Sequence, residues 1–501
     1  MGAAVQWARV LTSLVWLLLA VTPVEAADLT ISGSKLSLVA SQKRPAGRRF
    51  AFVSEDAAIA PPFTDPAAGA HLLVNASAEP GNCYAEIPLD PSKWKPIGGD
   101  GTSRGYRYRA DPPGTHGIRT ILIKSGKIKV TGRGSNWPCD LSAASQNMPI
   151  TVTLRTGSTR YCAAFGGTVK ENGAGKFRAF DASAPSACPK QDITAAQLNI
   201  LHGFTCNDGD HCRVEDRVAL LFQWVAARGC PDIVTLEEVI ARPAEMMLPL
   251  LEAHRLTACP FPYTLAYSDQ PNTFDDEVVL SRYPVVSAHA QPLFLGFRHV
   301  FFVRIDHPLG PLDVFVTHLA SSSDGAQLAC GATCPPECVA AGAATVRECQ
   351  GVQVGNFVAA QHDGSMPAIV AGDFNESPGT FVYDQITGHG WTDVYLAAGN
   401  PECDTFTGIG CTSGRQDETL TDLESPASNE NERIDYIFLV PPTSPICAAA
   451  LDPPTDDDAD GTATRHWADQ PNPFAPMCGP LPDPICWPSD HEGVELDLNC
   501  G

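Results

Sequence analysis

Ala368-Ile369-Val370-Ala371-Gly372-Asp373-Phe374-Asn375 decides the fold. A short apolar run of this kind, ended by a turn residue, reads as a strand buried on both faces. The polar residues at its end are carried to the rim of a sheet, where a site can form. The same pattern recurs nearby. Ile233-Val234-Thr235-Leu236 runs into Glu237-Glu238, Val314-Phe315-Val316-Thr317 runs into His318, and the strand Ala195 to Leu201 carries Asn199. Val278 to Leu280, Val300 to Ile305, Leu312 to Leu319, Ile434 to Val440 and Val494 to Leu498 read as further buried strands. Val214, Val218, Leu221, Phe222 and Val225 fall at helical spacing ahead of Gly229, which predicts a helix. Strands mixed with helices in this way predict a packed α/β domain.

Upstream the texture changes. Arg48 to Val53 and Gly105 to Arg109 alternate apolar and polar residues between Gly, Pro, Asn and Asp clusters, the mark of short half-buried strands. Ile121-Leu122-Ile123-Lys124, Ser125-Gly126 and Lys127-Ile128-Lys129-Val130 spell a hairpin with a two-residue turn. An all-β, sandwich-like domain is expected over residues 28–183, with a small, Pro-containing linker at 184–192. The first 26 residues read as a signal peptide, from Arg9 through the apolar run Val10 to Val21 to the small-residue ending before Ala27. That leader predicts secretion, with a periplasmic or cell-surface location as the alternative. All 18 cysteines lie beyond it, an even number that fits disulfides formed in an oxidising compartment. Cys206 with Cys212 and Cys403 with Cys411 would each close a short loop. Cys330, Cys334, Cys338 and Cys349 are close enough to suggest zinc, but they form no tidy pair of knuckles.

Charge divides the chain. Residues 28–188 hold 20 Lys+Arg against 12 Asp+Glu, and residues 189–501 hold 13 against 44. An acidic second half repels polyanions at long range, which argues against tracking along nucleic acid. The basic first half suggests contact with an anionic surface or membrane. No protein partner is implied.

The rim residues form a chemical set. In order they are Asn199, Glu238, His318, Asp373 with Asn375, Asp435 within Arg433-Ile434-Asp435-Tyr436, and Ser489-Asp490-His491. Hydrolysis of a phosphate ester needs a hard cation, a positioned water and hydrogen-bond donors for the developing charge. Glu238 and Asp490, with Asn199 beside them, offer oxygen ligands suited to Mg²⁺, with Mn²⁺ or Ca²⁺ as alternatives. His491 is a candidate general base oriented by Asp435, and Asp373 is the competing base. Asn199, Asn375 and His318 can donate to phosphoryl oxygens.

Seven segments carry a resemblance: Leu198-Asn199-Ile200, Leu236-Glu237-Glu238-Val239, Ser281-Arg282-Tyr283-Pro284, Thr317-His318-Leu319, Gly372-Asp373-Phe374-Asn375, Arg433-Ile434-Asp435-Tyr436 and Ser489-Asp490-His491. Their order and spacing resemble the endonuclease/exonuclease/phosphatase superfamily, in its deoxyribonuclease-like and neutral sphingomyelinase-like members. The resemblance spans residues 193–500 as a catalytic domain. It implies a four-layer α/β/β/α sandwich, a Mg²⁺-dependent phosphoesterase and the residue roles given above. Glu237 departs from the family pattern, which commonly has Gln there.

Singly, each rim residue has an ordinary reading: Asn199 as a strand-end cap, His318 as a satisfied core histidine, Asp435 as a partner for Arg433. The collinear set is what favours chemistry. Arg282 and Tyr283 read as structural, and Asp324, just after His318, reads as a solvated loop residue, with contact to substrate as the alternative. Asp456-Asp457-Asp458-Ala459-Asp460-Gly461 imitates a calcium loop but lacks its closing glutamate, since Trp467 stands there. The segments Ser321 to Ala344 and Pro441 to Trp487 are expected to frame the substrate. A phosphodiester, from a phospholipid headgroup or a nucleic acid, is the expected substrate. A phosphatase acting on small phosphoesters and a catalytically inactive binding module of the same fold are the alternatives.

Overall fold

The computed structural model describes residues 27–500, apart from 41–44, 77–80, 111–115, 158, 187, 189–190, 205, 207–209, 241–246, 271–274, 365, 416–419, 443–448, 452 and 454–462. The leader at 1–26 and the acidic run at 456–461 lie outside the described residues.

Residues before 183 form two facing sheets. One has five strands, ordered Ala27–Thr30, Thr159–Phe165, Ile150–Thr156, Ala70–Asn75 and Tyr84–Pro88. The other has eight, ordered Thr168–Gly173, Lys176–Ala182, Gly33–Val39, Arg49–Ser54, Lys127–Arg133, Ile118–Lys124, Tyr106–Arg109 and Trp94–Pro96. Alternation sets the packing: along Lys127–Arg133, Ile128 and Val130 are buried in the sandwich core while Lys129 and Arg133 are exposed. Trp137 stacks on Phe50 with ring centroids 4.6 Å apart. The expected hairpin is present, with Lys124 paired to Lys127 and Gly126 at φ 70°, a conformation that favours glycine. The four cysteines of this half pair among themselves, Cys83 with Cys139 and Cys162 with Cys188.

The strand Gln191–Asn199 begins inside the stretch read as linker and opens the α/β part. It lies between Ile233–Val239, parallel to it, and Gly493–Cys500, antiparallel to it, in a sheet that also holds Asp276–Ser281 and Thr264–Tyr267. A second sheet runs Val285–Pro292, His299–His307, Gly310–His318, Ala368–Asp373, Asp435–Val440 and Thr392–Asp393. Their inner faces meet in one core, including Ile193, Val279, Val303, Val314, Ile369 and Leu496. The helix Val214–Ala227 covers the outer face of the first sheet through Val218, Leu221 and Val225. The helix Val346–Gln361, opened by a capping box at Thr345 and Glu348, covers the second through Val354 and Val358. The result is the expected four-layer α/β/β/α order, and strands buried on both faces explain the nearly unbroken apolar runs.

Among the described residues there are eight disulfides and no free cysteine, which fits an oxidising environment. Cys206–Cys212 and Cys403–Cys411 close the short loops anticipated. Cys330–Cys334 and Cys338–Cys349 tie up the thiolates that a zinc site would need. No helix among the described residues is long and apolar enough to cross a membrane.

The five-stranded sheet packs on the α/β part through charged contacts. Buried Arg155 pairs with Asp306, which also lies 3.1 Å from His71. Arg282, read from sequence as structural, bridges Glu86 at 3.0 Å and Asp232 at 3.3 Å. Asp232 immediately precedes Ile233–Val239, Arg282 follows Asp276–Ser281, and Asp306 falls near the end of His299–His307. All three sit at the strand ends opposite Glu238 and His318.

Candidate active site

Strand register builds the site. His318 pairs with Asp373, and Asp373 with Asp435, so three adjacent strands deliver their polar ends in one row. On the facing sheet Asn199 ends its strand beside Glu237, and a register shift after Leu236 precedes Glu238. Glu238 adopts φ 60°, unusual for a residue with a Cβ, and this turns its carboxylate to the rim. Glu237 points inward instead, fully buried, where it accepts from Gln197 Nε2 at 2.8 Å. Burial, with the Asp435 and Asp373 charges, pushes the Glu237 carboxyl well above its usual range. Of the two glutamates, Glu238 is therefore the one available to a ligand.

Asn199 links the two sheets. Its Nδ2 donates to Glu238 Oε1 at 3.0 Å and to Asp373 Oδ2 at 3.1 Å. His491 Nδ1 lies 2.8 Å from Asp435 Oδ2, and its Nε2 is turned toward Asp373 Oδ2 at 3.9 Å. Burial opposes a charge on His491, but the Asp435, Asp490 and Asp373 carboxylates outweigh it and raise its basicity well above normal. His318 Nε2 lies 3.5 Å from Asp373 Oδ2. Asn375 sits at φ 53°, with its amide bonded to Asp373 Oδ1 at 2.8 Å and its Nδ2 to Leu319 O at 3.0 Å. Ser489 Oγ bonds Asn199 O and, at 3.1 Å, Asp490 Oδ1, which pins the last triplet against the first strand.

Two of the clusters of ligand atoms among the described residues lie at this site: Glu238 with Asp275 and His318, and Asp373 with Asp435 and His491, each within 4.8 Å. The oxygen-rich first set suits a hard divalent ion. Asp490 belongs to neither cluster, although it adjoins His491.

Three residues that frame the site, Asp275, Arg298 and His202, were missed by the sequence reading of roles. Asp275 and Arg298 form an ion pair at 3.1 Å, and Arg298 Nη1 donates to His318 Nδ1 at 2.8 Å. Arg298 also pairs with Asp324, a half-exposed loop residue that this ion pair holds beside the site. The His202 amide donates to Glu238 Oε2 at 2.9 Å. With Phe204 and Phe297 these side chains line a cleft of about 310 Å³ beside Glu238. Asp275 and Arg298 stand just before Asp276–Ser281 and His299–His307, both antiparallel to the strands that carry Glu238 and His318. Polar residues at the starts of antiparallel strands, as well as the ends of parallel ones, were the signal that would have found them.

A family model described as Endonuclease/Exonuclease/phosphatase family matches residues 196–491. No curated protein matches the chain. Among solved structures, TDP2 of D. rerio complexed with a single-strand DNA product is 16% identical, with a TM-score of 0.41, covering 62% of this chain and 99% of that one. A Bacteroides thetaiotaomicron mannosyl-6-phosphatase is also 16% identical, with a TM-score of 0.40, covering 61% and 99%. Truncated Caenorhabditis elegans TDP2 is 16% identical, with a TM-score of 0.38, covering 61% and 97%. From the match over residues 196–491, the chain belongs to the endonuclease/exonuclease/phosphatase family.

Proposed function

We propose that the chain is an exported phosphodiesterase dependent on a divalent metal ion, with Mg²⁺ the expected ion, and that residues 193–500 carry the reaction. The observation that carries this reading is the Asp435–His491 pair, set at 2.8 Å and turned toward Asp373 in the cleft that holds Asn199 and Glu238. Glu238, with Asn199 and Asp490 as the other expected ligands, would hold the ion, which supplies charge neutralisation at the phosphoryl oxygens.

The protein's own groups do the rest. Asp435 accepts the Nδ1 proton of His491 and so leaves Nε2 as the working atom. In its neutral form Nε2 takes the proton of the attacking water. In its protonated form Nε2 donates to a phosphoryl oxygen, and Asp373 takes that proton. The raised basicity of His491 favours the second arrangement. Asn375 and His318 donate to the remaining oxygens as charge develops, while Asn199, whose Nδ2 is engaged by Glu238 and Asp373, positions those two carboxylates and reaches a phosphoryl oxygen only by giving up one of them. Arg298 holds His318 with Nδ1 accepting, which keeps the proton on Nε2, turned toward Asp373 Oδ2 at 3.5 Å and within the site.

The 310 Å³ cleft suits one small group attached to the phosphate, and the charge balance of residues 189–501 disfavours long nucleic-acid contacts. These observations favour a compact phosphodiester over a polymer. The test is a Mg²⁺-dependent hydrolysis panel on purified protein with sphingomyelin, plasmid DNA, RNA and inositol phosphates. Turnover of one diester class, abolished by EDTA, is expected. Release of phosphate from the inositol phosphates alone would move the assignment to a phosphatase, and no turnover on any arm would support the inactive binding module.

A further inference from the structure

The outer face of the eight-stranded sheet carries an ordered array of cations. Register places Lys95 opposite Arg107, then Leu122, Lys129, Val53 and Lys35 along one row across six strands. The four cations are exposed, and the row contains no carboxylate. Among the described residues none of the four has an ion-pair partner. A parallel row sets Arg133 opposite Arg49, both exposed. Like charges directly opposed across strands weaken a sheet, so a face built this way is poorly explained by folding alone. An anionic partner offsets the repulsion.

We infer that this face docks the protein on an anionic lipid bilayer. Five strand spacings of about 4.8 Å carry the Lys95–Lys35 row across roughly 24 Å. A two-dimensional array of cations matches a two-dimensional array of headgroup phosphates better than the single line of a strand or duplex. The main row offers one aromatic side chain, half-exposed Phe180 opposite Lys35, and otherwise shows Leu122 and Val53, so it lacks the succession of aromatics on which the bases of a strand would stack. Among the described residues Met148 is the only exposed large apolar side chain in this half of the chain, so adsorption is electrostatic and does not involve insertion. At the sheet edge, a groove of about 750 Å³ lined by Lys93, Lys95, Arg107 and Arg109 gives room for a phosphorylated headgroup.

The face has a fixed relation to the active site. The opposite sheet of the sandwich is occupied by the α/β part, through Arg155 and Glu86. Those contacts fall at the strand ends remote from Glu238 and His318. The thickness of the sandwich and the length of the α/β strands therefore separate the docking face from the active site. Docking tethers the enzyme with its mouth turned away from the surface it holds.

The experiment is co-sedimentation of residues 27–501 with phosphatidylcholine vesicles containing one-third phosphatidylglycerol, beside pure phosphatidylcholine vesicles and a short DNA duplex. Binding to the anionic vesicles alone is expected, and it should vanish near 0.5 M salt, where the Debye length falls to roughly 4 Å. Lys95→Gln with Arg107→Gln should weaken it about 25-fold, at about fivefold per cation. The melting temperature of the variant reports its fold, so the result does not depend on the enzymatic reading. Equal binding to both vesicle types, salt-insensitive binding, no binding, or an unaffected double variant would each overturn the inference. Capture of the duplex in preference to vesicles would overturn it too, by making the face a polymer site.

Discussion

Asp435 and His491 show how much of the site rests on single atoms. If Asp435 matters through Nδ1 of His491, then Asp435→Asn should leave the fold intact while reversing the hydrogen bond that sets the tautomer. Turnover of an aryl phosphodiester should fall by about 10³-fold or more, with an unchanged circular dichroism spectrum. His466 makes a different prediction, about stability. Burial, reinforced by the nearby Arg433 charge, pushes its pKa down to about 3, against an ordinary value of 6.5. The unfolded chain then binds the proton more tightly than the folded one, so stability drains away as pH falls from 6.5 toward 3. Between pH 7.5 and 5.5 this one group should remove about 1.4 kcal/mol. His466→Phe keeps the stack on Tyr395, whose ring centroid lies 4.0 Å away, and should flatten that slope in urea melts. A slope unchanged by the substitution would mean that His466 titrates normally.

At the level of strands, Gly372 controls how Asp373 reaches the rim. It sits at φ 145°, and a Cβ there would stand 1.8 Å from the Thr317 carbonyl oxygen on the neighbouring strand. Gly372→Ala should cost about 3 kcal/mol in chemical denaturation, and any protein that folds should have lost the alignment of His318 with Asp373. The strands themselves were legible because, buried on both faces, they are written as nearly unbroken apolar runs such as Ile233 to Leu236 and Ala368 to Ala371. Asn199, Glu238, His318 and Asp373 stood out because each lies at the end of such a run, whereas Asp435 opens Asp435–Val440 and His491 precedes Gly493–Cys500, and these two stood out only through the motifs that contain them. Asp275 and Arg298 were not found, because antiparallel pairing brings strand beginnings to the same rim and a single sequence does not state which strands are antiparallel. The hold on Asp324 was hidden for a related reason: its partner Arg298 is 26 residues away, and nothing local marks the ion pair.

For the molecule as a whole, the joint between the halves is polar and buried, unlike the apolar cores on either side of it. Arg155 is almost fully enclosed against Asp306, so Arg155→Met leaves a carboxylate with only His71 beside it. A loss of about 3 kcal/mol is expected, read as a lower melting temperature for the intact protein, because removing one partner of a buried pair strands the other. The sequence showed two halves through their charge, but it could not show that the halves meet at the ends of the strands remote from the active site. That arrangement leaves the cleft open to a substrate from solution. The central claim, that Glu238 and His491 are the working groups of a metal-dependent phosphoesterase, is tested most directly by one comparison. Mg²⁺-dependent hydrolysis of an aryl phosphodiester should be measured for the native protein, Glu238→Ala and His491→Ala. Loss of at least about 10³-fold in both variants, with folding retained, is the result predicted, and undiminished turnover in either one would contradict the assignment.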